Sequence, residues 1–121
     1  MPRPILDESH IHPAIQKKIA THEQGIVGEV QAAMAEHSVV VVGMGMNPFP
    51  RKACKALDGA GIAYKYLEFG NYLSDWRRRN ALKLWTGWPT MPMVFVRGML
   101  VGGANDLISL IDTGELRNLL A

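Results

Sequence analysis

A single cysteine, Cys54, stands among the 121 residues, which excludes an internal disulfide and gives no sign of an oxidising compartment. Long hydrophobic runs are missing too. The longest, Val39–Met46, falls far short of the ~20 residues that a membrane-spanning helix requires. The N-terminus, Met1-Pro-Arg-Pro-Ile-Leu-Asp-Glu-Ser-His, has no apolar core of the secretory kind, so a cytoplasmic location without a membrane partner is expected. Charge of one sign is scarce: the net charge of +2 leaves no electrostatic footprint for nucleic acid. Aromatic residues are few and do not repeat in the pattern of an RNA-binding sheet. His10 and His12, with Glu8, are too few ligands for a metal centre, and His22 and His37 stand alone, so no metal site is assigned.

What remains is a chain of ordinary globular composition, 48% apolar and 20% charged, long enough to bury one core. Residues 1–12 hold two prolines and no periodic pattern, and read as an extended arm. Pro13 suits the first position of a short helix over Ala14–Ala20. Residues 1–22 are therefore set apart as an N-terminal arm, and 23–121 as the main domain. Between Gln24 and His37 the apolar residues Ile26, Val27, Val30, Ala33 and Met34 recur with helical spacing. Val39–Val42, four β-branched residues, predict a central strand covered on both faces.

Beyond that strand Gly43 and Gly45 break the pattern, and Pro48 and Pro50 are expected to delay regular helix until about residue 50. A helix then runs through Leu57 and ends at Gly59 and Gly61. Ile62–Phe69 predicts a second strand, parallel to the first through a right-handed crossover. Asn71–Trp85 predicts a helix with Ser74 as its cap, and Met93–Val96 with Met99–Val101 a hairpin about Arg97-Gly98. The tail, Ala104–Leu120, reads as helical with a break at Thr113-Gly114. The dense basic run Arg77-Arg78-Arg79 reads as a solvated helix face or as a site for a carboxylate.

Three stretches taken together resemble the glutaredoxins: Val39-Val-Val-Val-Gly-Met-Gly-Met-Asn-Pro-Phe-Pro50, Trp88-Pro-Thr-Met-Pro92 and Gly102-Gly-Ala-Asn-Asp106. The stretch at Trp88 is most similar to the monothiol branch. The resemblance implies an α/β, thioredoxin-like fold: a four-stranded mixed sheet with helices on both faces. It also implies that Asn47-Pro48-Phe49-Pro50 stands where the family carries Cys-Pro-Tyr-Cys or Cys-Gly-Phe-Ser, because Asn47 lies 14 residues before Gly61, the counterpart of the family's turn glycine. Without a thiol at Asn47, neither disulfide exchange nor iron–sulfur ligation runs through this turn, and no iron–sulfur cluster is expected. Cys54, seven residues further on, lies ~10 Å along the helix and is too distant to replace it.

The family also implies a glutathione groove. Its residues here are Asn47, Phe49, Arg79, Thr90, Met91, Pro92, Gly103, Ala104 and Asn105, with a cis bond expected before Pro92. Arg79 corresponds to an arginine that binds the glycyl carboxylate, and Gly103–Asn105 to donors for the γ-glutamyl carboxylate. Asn105 replaces an aspartate that pairs with the glutamyl amine, a role that falls to Asp106 if to any residue. The family's lysine ahead of the redox turn corresponds to Met44. The resulting expectation is a protein that binds glutathione or a protein partner without thiol exchange of its own. The alternative is a glutathione-dependent enzyme whose Asn47 stabilises the glutathione thiolate.

Overall fold

The computed structural model describes residues 3–121. Its elements are α1 (Pro13–Thr21), α2 (Gln24–Glu36), β1 (Val39–Gly43), α3 (Pro48–Ala60), β2 (Lys65–Glu68), α4 (Trp76–Thr86), β3 (Met93–Val96), β4 (Met99–Gly102), α5 (Ala104–Thr113) and α6 (Glu115–Leu120). The four strands form one mixed sheet in the order β2-β1-β3-β4. β1 runs parallel to β2 and antiparallel to β3, and β3 pairs antiparallel with β4. Among the described residues no helix is long and apolar enough to cross a membrane.

Strand alternation splits the core in two. Val40, Val42, Met93 and Phe95 face Ile26, Val30 and Ala33 of α2 and Ala81 and Leu82 of α4. Val39, Val41, Val94 and Val96 face Ala53 and Leu57 of α3, Leu107 of α5 and Leu116 of α6. β1 is therefore buried along its whole length, as its run of valines requires. β2, at the sheet edge, is only half-buried. The β3–β4 turn places Arg97 and Gly98 both at positive φ, the backbone that matches the twist of a two-residue hairpin.

Several boundaries differ from the expectations. α3 begins at Pro48, not near residue 50. Both prolines occupy its first turn, where the N–H groups have no partner within the helix and proline loses nothing. β2 pairs only over Lys65–Glu68, because only those residues meet β1. α4 starts at Trp76, and Ser74 does not cap it. Instead Asn71 Oδ1 accepts from Leu73 N at 2.8 Å and Ser74 Oγ from Asn71 N at 3.3 Å, closing a turn. The arm is not wholly extended either. Glu8–His10 form a single 3-10 turn capped by Asp7, and Gln16 Nε2 donates to the carbonyls of Glu8 and Ile11. His12, weighed above as a metal ligand, accepts from Ala14 N through Nδ1 and so caps α1.

Gly43 ends β1 where the chain must pass close to α3. A Cβ there would lie 2.6 Å from Pro50 Cβ and 2.9 Å from Tyr66 Cε1. Gly43→Ala is therefore expected to destabilise the protein by about 1–3 kcal/mol through overpacking. Gly59, inside α3, meets nothing within 4 Å, so Gly59→Ala should add about 0.5–1 kcal/mol of helix stability. Urea denaturation of the two variants should show midpoints moving in opposite directions.

Candidate functional site

Asn47 joins two parts of the chain. Its Oδ1 accepts from Phe49 N at 3.0 Å, capping α3, while its Nδ2 donates to the carbonyl of Met91 at 3.3 Å. An N-cap amide of this kind satisfies one of the unpaired donors of the first helical turn. Here the same side chain also ties the β1–α3 turn to the loop before β3. The bond between Met91 and Pro92 is cis, as expected.

A groove of about 510 Å³ runs between this turn, the Trp88–Pro92 loop and the start of α5. Asn47, Phe49, Thr90, Met91, Pro92, Gly103, Ala104 and Asn105, eight of the nine residues singled out in the sequence, line it together. Several of its donors are unspent. The N–H of Met91 donates to no group among the described residues. Ala104 and Asn105 open α5, where N–H groups have no acceptor within the helix and the dipole favours an anion. Gly103 differs: its N–H donates to Asp106 Oδ2 at 2.9 Å, so that carboxylate already serves the helix start. Asn105 Oδ1 accepts from Lys52 Nζ at 3.1 Å.

Arg79 is the ninth residue, and it is not in the groove. Its side chain is 6% exposed, and its Nη1 donates to the carbonyls of Phe69, at 3.0 Å, and of Ser74. A guanidinium held by two main-chain carbonyls is a structural clamp on the β2–α4 loop. Lys83, one turn further along α4, lines the groove instead and went unmarked in the sequence. Its signal was available, since positions four apart share a helix face. Arg78 is paired with Glu29 and Asp75, and Arg77 lies over the Trp76 ring at 5.3 Å. Met44 is buried in the core and adds no charge.

Cys54 is half-buried about two turns along α3 from Asn47, against the core layer that includes Leu57 and Leu107. Burial pushes its thiol pKa up, Tyr64 partly offsets this by hydrogen bonding, and Asp58 raises it further. It does not line the groove. Trp88 does, and its Nε1 is a buried donor without an acceptor among the described residues.

The comparisons agree with this geometry. Residues 39–101 match the family model described as Glutaredoxin. A "Glutaredoxin-like protein" of Dictyostelium discoideum is 41% identical over 104 residues, covering 86% of this chain and 85% of its own. The "Bifunctional monothiol glutaredoxin-S16, chloroplastic" of Arabidopsis thaliana is 35% identical over 72 residues, covering 60% of this chain, which spans only 25% of that longer protein. Among solved structures, the buckwheat glutaredoxin–glutathione complex superposes with a TM-score of 0.70 at 22% identity, over 82% of this chain and 90% of the other. By fold, by family model and by sequence identity, the chain belongs to the glutaredoxin family.

Proposed function

We propose that the protein binds glutathione, or a partner's glutathione-like segment, in the Asn47–Met91–Ala104 groove and performs no thiol–disulfide exchange of its own. The observation that carries this reading is the groove's inventory. It keeps backbone donors at Met91, Ala104 and Asn105 and a cation at Lys83, yet it contains no thiol. In this reading Asn47 occupies the place of the family's redox cysteine. The ligand's γ-glutamyl carboxylate meets the start of α5, its cysteinyl backbone meets Met91, and its glycyl carboxylate meets Lys83. A lysine ammonium serves as a point charge for a carboxylate. Arg79 has no part in this set, because it does not line the groove and its Nη1 is held by the carbonyls of Phe69 and Ser74.

The enzyme alternative asks Asn47 to donate toward a thiolate. One of its two N–H bonds is already given to Met91 and its oxygen to Phe49. The other N–H remains to donate toward a thiolate, and turnover of a mixed disulfide is the outcome that would select this alternative over binding alone. The cytoplasmic location expected from the sequence accords with this proposal, since cytosolic thiols are kept reduced.

Calorimetric titration with reduced glutathione tests the reading. Saturable binding is expected, and Lys83→Ala should weaken it by about 5- to 10-fold, the loss of one charge-assisted contact. Absence of heat up to millimolar ligand contradicts it. A second expectation concerns Cys54. The thiolate is the reactive form, and burial disfavours it here. Iodoacetamide at pH 8 should modify Cys54 several-fold more slowly than a cysteine in an unstructured peptide, a gap that urea should abolish.

A further inference from the structure

On the opposite side of the sheet from Cys54 lies a second groove, of about 640 Å³, bounded by the end of α1, the first half of α2 and the outer face of α4. Its size is that of a small-molecule site. Ile19, Val27, Leu84 and Trp85 supply apolar walls, with Leu84 74% and Ile19 58% exposed. Among the described residues Lys18 is its one formally charged lining residue, and no carboxylate lines it. Lys18 makes no ion pair among the described residues.

Gly28 lines the same groove. It sits within α2, where glycine disfavours the helix, yet nothing lies within 4 Å of the Cβ it lacks. The chain's own packing does not require a glycine there. The missing side chain leaves open space in the groove. α1 is equally unfinished, burying none of its residues, and a nine-residue helix gains little stability unaided. A molecule in the groove would cover Ile19 and give α1 its missing contact.

We propose that this groove is a second ligand site, independent of the glutathione groove, for a small apolar monoanion of the aryl or medium-chain carboxylate class. The apolar body lies over Gly28 against Trp85 and Leu84, and the carboxylate meets Lys18 at the mouth.

Naphthylacetate and its neutral analogue naphthylethanol provide the test, followed on the full chain through backbone amide shifts by NMR. Saturable shifts are expected at Lys18, Ile19, Val27, Leu84 and Trp85, with the carboxylate bound about 5-fold more tightly than the alcohol. Lys18→Gln should bring the acid down to the alcohol's affinity and leave the alcohol unchanged. Gly28→Leu, which fills the groove where nothing is in the way, should abolish both. Saturating glutathione should not displace the probe, so this site stands or falls apart from the first. The proposal is overturned by unsaturable shifts, by equal affinity for acid and alcohol, or by wild-type binding in Gly28→Leu.

Discussion

The two hydrogen bonds of Asn47 are the constraint on which the site depends. One holds the first turn of α3 and the other holds the carbonyl of Met91, so a single amide fixes the distance between two groove walls that lie 44 residues apart in sequence. Around it the backbone is tightly fitted. Gly43 lets Pro50 and Tyr66 close on the end of β1, and Gly45 N donates to the carbonyl of Gly70 at 2.7 Å. The third wall is set by Asp106, whose carboxylate holds Gly103 N at the start of α5. What these contacts leave over, the donors of Met91, Ala104 and Asn105, is what the groove has to offer a ligand.

Charge is distributed with the same economy. Of the three consecutive arginines of α4, one stacks on Trp76, one pairs with Glu29 and Asp75, and one is buried on main-chain carbonyls. None lines the groove, whose groups suited to an anion are Lys83 and the start of α5, because the first turn of α3 carries two prolines and spends Phe49 N on Asn47. The lone thiol of the chain lies about two turns along α3 from Asn47 and does not line the groove. A groove with anion-binding groups but no nucleophile is suited to holding a ligand, which is the function proposed.

The parts of the fold that were legible in the sequence are those fixed by strong local physics. Four β-branched valines predict a doubly covered strand, and β1 is buried on both faces. Arg97-Gly98 between apolar runs predicts a hairpin, and Thr113-Gly114 a helix break; both occur. The resemblance to the glutaredoxins brought together the groove residues and the cis bond at Pro92. What was missed depends on groups the sequence does not display. Arg79 is claimed by main-chain carbonyls of Phe69 and Ser74, whose positions follow from a loop and not from residue type. Pro48 and Pro50 were read as helix breakers, but a proline in the first turn forfeits no hydrogen bond. β2 was drawn too long because its apolar run exceeds the few residues that meet β1. Lys83 was passed over because Arg79, one turn earlier, already filled the role.

In the proposed reading the groove keeps backbone donors and Lys83 but carries no nucleophile, and supplying one tests that reading most directly. In a Cys54→Ser background, Asn47→Cys places a thiol at the N-terminus of α3, where its pKa should fall below the free value of about 8.5. Its thiolate would attack oxidised glutathione, forming a mixed disulfide at position 47 and releasing one glutathione thiolate. Mass spectrometry should show this adduct forming faster than on a free cysteine peptide at the same pH. A thiol at position 47 that reacts no faster than the peptide, in a variant whose amide NMR shifts at Met91, Ala104 and Asn105 match those of the native chain, would contradict the account, because an intact groove would then contribute nothing to holding glutathione.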